Sequence, residues 1–148
     1  MSRTVVIGVG NALRGDDAAG LNVARLLSKR GITNVHESSG ETFSLMELWS
    51  NADTVLLADA AQSGAKPGEV SRFDVSTQPL PTEFLHCSTH AFGVAEAVEL
   101  ARSMETLPPR VIIFGIEGVS FEHGDELTPE VATGVEHAAS LIETDLNR

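Results

Sequence analysis

The sequence predicts one α/β domain over residues 1–148: a single-domain three-layer sandwich with a five-stranded, mostly parallel twisted sheet and helices on both faces. Three observations carry this. The length, 148 residues, is that of one domain. Short apolar and β-branched runs alternate with segments of helical period, the pattern of βα units around a parallel sheet. Hydrophobic residues make up 42% of the chain, enough at this length to close a core without staples.

Each element follows in order. Thr4 to Gly8 (TVVIG) is an unbroken apolar run and reads as a buried first strand. A helix is expected from Asp16 or Asp17 to Lys29, with Val23, Leu26, Leu27 and Arg30 at i, i+3, i+4, i+7 and Gly31 stopping it. Asn34 to Glu37 is a short second strand, and Phe43 to Trp49 a short helix after a Ser/Gly-rich turn. Thr54 to Ala58 (TVLLA) is a third buried strand that ends at Asp59. Ala61 to Gly68 is loop by composition. Glu69 to Val75 reads as an edge strand, with antiparallel pairing open to it because no helical pattern precedes it. A helix over Thr89 to Met104 lines up Val94, Val98, Ala101 and Glu105, and Arg110 to Ile116 is the last strand. The final helix has the clearest start: Thr128 as N-cap, Pro129 at its first position, Glu130 in its first turn. Its inner face is Val131, Val135, Ala138, Ala139, Ile142 and Leu146.

Composition narrows the function. Ten basic residues stand against twenty-one acidic ones, a net charge of −11. A nucleic-acid binder needs clustered Lys and Arg to displace counterions from phosphates, and none are clustered here. The acidity reads first as solubility, and second as a surface for a basic partner segment or a cation. Runs such as Val55 to Ala58 and Val111 to Ile116 are too short to span a bilayer. The N-terminus shows no signal-peptide h-region, and the single cysteine, Cys87, forbids an internal disulfide. These features predict a cytoplasmic address without membrane insertion.

In open α/β sheets, sites gather where loops leave the carboxyl ends of the strands. The polar residues there are Gly10-Asn11 and Asp16-Asp17 after the first strand, Asp59 after the third, His90 before the next long helix, and Glu117 after the last strand. Gly8-Val9-Gly10 does not complete a dinucleotide fingerprint, because Leu13 stands where a glycine is required and only Glu37 offers a ribose contact. No organic cofactor is expected. A phospho-receiver would use Asp59 as phosphoacceptor, but it needs a lysine after the last strand, where Gly115-Ile116-Glu117-Gly118 stands. Asp16 reads as the N-cap of the first helix, worth about 1 kcal/mol. Asp17, in the first helical turn, reads equally as dipole partner or as ligand and base. A charge at a buried strand end needs a partner, which raises the interest of Asp59. The segment His86-Cys87-Ser88-Thr89-His90 lacks a second Cys/His pair for a zinc site, and Cys87 reads as a small buried residue. Two carboxylates and one histidine from three loops suit a divalent metal with open positions.

The segment Gly8-Val9-Gly10-Asn11-Ala12-Leu13-Arg14-Gly15-Asp16-Asp17-Ala18-Ala19-Gly20 resembles the N-terminal signature of the [NiFe]-hydrogenase maturation endopeptidases. The likeness continues at Leu57-Ala58-Asp59-Ala60, Ser88-Thr89-His90-Ala91-Phe92-Gly93, Gly115-Ile116-Glu117 and Leu127-Thr128-Pro129-Glu130-Val131, in the family's order. It implies an endopeptidase that removes a C-terminal extension from a hydrogenase large-subunit precursor once nickel has been inserted. It implies further that Asp17, Asp59 and His90 form the catalytic trio and contact nickel supplied by the precursor; Asp17 or Asp16 is the candidate general base, with helix cap the other reading of Asp16. One departure from the pattern is Gly118, where the family often has proline. A non-catalytic, nickel-binding, chaperone-like module for the same precursor is the alternative.

Overall fold

The computed structural model describes residues 3–81 and 93–148. In chain order the elements are β1 (Thr4–Val9), a 3₁₀ turn (Gly15–Ala18), α1 (Ala19–Lys29), β2 (Val35–Ser38), α2 (Thr42–Leu48), β3 (Thr54–Ala61), β4 (Val70–Asp74), α3 (Val94–Ser103), β5 (Arg110–Glu117) and α4 (Pro129–Leu146). The five strands form one sheet in the order β2-β1-β3-β5-β4. β1, β2, β3 and β5 run parallel, and β4 joins the edge antiparallel to β5.

Side chains on successive strand residues point to opposite faces, so each strand feeds two cores. Val5, Ile7, Leu57 and Ile113 pack against Leu45, Trp49, Val94 and Val98 of the α2–α3 side. Val6, Leu56, Ile112 and Phe114 pack against Val23, Leu27, Val135 and Ile142 of the α1–α4 side. The central strands are buried on both faces, which is why their sequences show no polar alternation. α1 lies on the sheet in backbone contact. A Cβ on Gly20 would stand 2.3 Å from the carbonyl oxygens of both Ala58 and Val9. Only glycine permits that approach.

The predicted class and element order hold, and the departures are informative. β3 runs on to Ala61 and β5 to Glu117, because the two strands stay paired through Asp59↔Gly115 and Ala61↔Glu117. Asp59 therefore projects from the sheet itself instead of following it. The first helix opens with the 3₁₀ turn before α1 begins. Gly93 precedes α3 and donates its N–H to the Glu96 carboxylate at 2.9 Å. The expected start at Thr89 lies outside the described residues, and Glu105 leaves the stripe because its backbone turns left-handed (φ 59°). Thr128 occupies the N-cap position of α4, yet its hydroxyl makes no cap bond. It turns to Asp16 instead.

Candidate active site

The glycine-rich segment after β1 folds back on Asp17. The N–H of Gly10 donates to the Ser38 carbonyl at 3.0 Å, fastening the loop to the end of β2. Asn11 N–H then donates to the carbonyl of Asp17 at 3.2 Å, and Asp17 N–H to the carbonyl of Arg14 at 3.0 Å. A Cβ on Gly10 would stand 2.0 Å from the Asp17 carbonyl oxygen, so the glycine is what lets the loop close. The result buries Asp17, although it sits on a short turn near the sheet edge.

Asp59 is also buried, and its Oδ1 accepts the N–H of Ala60 at 2.8 Å. Burial pushes its carboxyl well above the ordinary carboxylate range. The Ala60 hydrogen bond opposes that shift, and the neighbouring charge of Asp17 adds to it. The two acids thus share one electrostatic environment, with the 3₁₀ turn packed against β3. A carboxyl that burial makes hold its proton more tightly than usual, set beside a second buried carboxyl, is an arrangement suited to proton transfer. It also suits a cation, which would replace the proton as the compensating charge.

Asp16 does not cap the first helix. Its side chain faces away from that helix, where Oδ2 accepts the N–H groups of Val119 (2.8 Å) and Ser120 (3.0 Å). Oδ1 accepts the N–H of Thr128 at 2.8 Å, and the Thr128 hydroxyl bridges both oxygens at 3.1 Å. The cap expectation fails because α1 starts three residues later, with Ala18 before it and no side-chain cap. Glu117 is likewise engaged locally: its carboxylate accepts from the N–H and hydroxyl of Ser63 and the N–H of Gly64. It anchors the loop after β3.

His90 and Cys87 lie outside the described residues. Of the expected trio, Asp17 and Asp59 are brought together. Among the described residues no three His, Cys, Asp or Glu side chains gather as a metal site. Residue-by-residue reading missed the part played by Ser120 and Thr128. Its only trace was Leu127-Thr128-Pro129 within the family-like motif. Gly118, the departure from the family pattern, proves to be a contact point: a Cβ there would stand 2.6 Å from the Phe121 ring and 2.9 Å from Asp16 Cβ.

Comparison with known proteins bears on the fold and the family. Residues 30–145 match the family model HycI, hydrogenase maturation protease. The hydrogenase 2 maturation protease of Escherichia coli K12 is 27% identical over 145 residues, covering 95% of this chain and 88% of that protein. The HupD hydrogenase expression/formation protein of Thiocapsa roseopersicina is 25% identical over 142 residues, and the chain spans only 64% of its length. Among solved structures, the hydrogenase maturating endopeptidase HybD from E. coli superposes with a TM-score of 0.81 at 25% identity, covering 98% of this chain and 92% of that one. The [NiFe] hydrogenase maturation protease HybD from Thermococcus kodakarensis gives 0.78 at 29%, covering 96% and 97%. The chain belongs to the hydrogenase maturation protease family, a family of peptide hydrolases.

Proposed function

We propose that this protein cuts the C-terminal extension from a [NiFe]-hydrogenase large-subunit precursor after nickel insertion, recognising the nickel through Asp17, Asp59 and His90. The observation that supports it most is the meeting of Asp17 and Asp59 as buried, electrostatically coupled carboxyls at the end of the sheet. Nickel belongs to the substrate in this reading and arrives on the precursor's own ligands. Carboxylates and an imidazole are donors that such an ion accepts at open positions. Bound there, the ion polarises the scissile carbonyl. Asp17 takes a proton from the attacking water and passes it to the leaving amine as the peptide C–N bond breaks, while Asp59 gives its proton to solvent as the cation binds.

The surroundings suit a polypeptide substrate. Leu13 and Val119 are exposed apolar residues on the two loops that flank the turn carrying Asp17. Among the described residues no helix is long and apolar enough to cross a membrane. We place the reaction in the cytoplasm.

The test is incubation of nickel-loaded precursor with the protein, followed by intact-mass measurement of the large subunit. Loss of a C-terminal peptide, abolished by Asp59→Ala or His90→Ala, is the expected result. An unchanged mass together with a tight complex would establish the chaperone-like module instead.

A further inference from the structure

We propose that Asp16 is a positioning residue, which clamps the segment 118–128 onto the turn carrying Asp17 and thereby sets the Asp17 carboxylate for the reaction. The proposal rests on the reading of Asp17 as part of the site. Three features of the geometry support it.

The first is saturation. Asp16 is fully buried, and its two oxygens accept three backbone N–H groups and one hydroxyl. Its own N–H donates to the Ser120 carbonyl at 2.7 Å, so backbone and side chain grip the same segment. A carboxylate engaged in this way has no approach for a water proton, which separates it from a general base. Such a group does what outer partners of a ligand do: it orients the neighbour that reacts.

The second is steric. Gly15 has φ 56°, and a Cβ on it would stand 2.4 Å from the Ser120 carbonyl oxygen. A Cβ on Gly118 would stand 2.9 Å from Asp16 Cβ. The two backbones touch with no room for side chains, so the segment cannot slide while the carboxylate is held.

The third is chemical. All the groups facing Asp16 are donors, or, in the hydroxyl of Thr128, can be one. Asparagine has the same shape but would turn an NH₂ toward backbone N–H groups. Asp17 is thus fixed on one side by the Asn11 and Arg14 backbone bonds and on the other by its neighbour's clamp.

The experiment uses the full chain, nickel-loaded precursor, and the variants Asp16→Asn, Thr128→Val and Asp17→Asn, each followed by circular dichroism to fix the folded fraction at assay temperature. Per folded molecule, Asp16→Asn is expected to lower kcat roughly 10- to 100-fold with KM within about twofold of wild type, the range for losing a ligand's orienting partner. Thr128→Val keeps the Asp16 carboxylate and removes one of its donors. It is expected to lower kcat several-fold, again without moving KM. Unchanged kcat in folded Asp16→Asn overturns the proposal. So does a large loss in Asp16→Asn beside an unchanged Thr128→Val, because Asp16 would then act directly. If Asp16→Asn fails to fold, an unchanged kcat in Thr128→Val overturns the clamp and a several-fold loss supports it. Full cleavage by Asp17→Asn overturns both the clamp and the reading beneath it, so the two failures are told apart.

Discussion

Thr128, which stands where α4 begins, donates both its backbone N–H and its hydroxyl to the carboxylate of Asp16, at 2.8 and 3.1 Å. That relationship joins two segments of the family-like motif set that are far apart in the chain. It also moves the expected cap of one helix into the wall of the candidate site. Five experiments follow from this arrangement and its neighbours.

Asp17→Asn removes the carboxylate that we propose accepts the water proton, while leaving the shape of the turn. Cleavage of nickel-loaded precursor is expected to fall by roughly 10²-fold or more, the contribution of a positioned base. Single-turnover mass spectrometry at saturating precursor measures this directly. A loss confined to KM would show that Asp17 serves binding alone.

Asp59 strains the fold at neutral pH. Its carboxyl is raised above the ordinary range, chiefly by burial, so the folded state releases that proton at a higher pH than the unfolded chain does. The stability linked to that proton is full below the ordinary carboxylate pKa and is lost as pH rises through the folded-state pKa. Metal-free Asp59→Asn should therefore melt higher than wild type, by about 2–4 °C for each kcal/mol recovered. Melting curves across a pH series should show the difference widening as pH rises. A constant difference would contradict the linkage.

Gly20→Ala forces a methyl group onto two backbone oxygens that no side-chain rotation can move. The expected cost is about 1–3 kcal/mol, the range for overpacking. Urea denaturation measures it, and a neutral result would mean that α1 lifts from the sheet without penalty.

Gly118→Pro restores the residue frequent in the family and should nonetheless destabilise this chain. Proline removes the N–H that Gly118 donates to the Ala61 carbonyl at 3.0 Å. Its ring also meets Phe121 and Asp16. A loss of about 2 kcal/mol or more is expected from the orphaned carbonyl and the collision together. Adding Phe121→Ala should recover only part of it, since the hydrogen bond stays broken.

Asp145 ties the end of α4 to the sheet edge by accepting paired bonds from Arg72 and a third from Arg110. Burial pushes its carboxyl up, but the Arg72 hydrogen bond and the charges of Arg72, Arg110 and Arg148 outweigh that and leave it below the ordinary range. Its stabilisation is present above the ordinary carboxylate pKa and is lost as pH falls through the lowered one. Asp145→Asn is expected to cost about 1–2 kcal/mol at neutral pH, toward the lower end for charge-assisted bonds because the arginines are partly exposed. The gap to wild type should close in acid, as followed by denaturation at falling pH.

Much of the fold was legible because burial writes itself into residue type. The unbroken runs Val55–Ala58 and Val111–Ile116 read as strands covered on both faces, and the spacing of Val131, Val135 and Ile142 as one helical stripe. Strand ends were less legible, since pairing partners decide them: β3 reaches Ala61 because β5 accompanies it to Glu117. Local rules also placed Asp16 and Thr128 as helix caps, since both are good capping residues at helix starts. Each had a better partner in the other.

By itself the sequence determined the class of the fold, the order of its elements, the candidates Asp17 and Asp59, and, through its ordered motifs, the family. Those features depend on residue type and short-range spacing, which a chain carries whatever its final shape. Only the tertiary structure decided that burial beside Asp17 raises the Asp59 carboxyl above the ordinary range, that Gly118 is a contact point, and that Asp16 holds the loop before α4. Those are properties of distance between segments far apart in the chain. Burial and charge act across space, and no local pattern encodes which backbone N–H groups a carboxylate will meet.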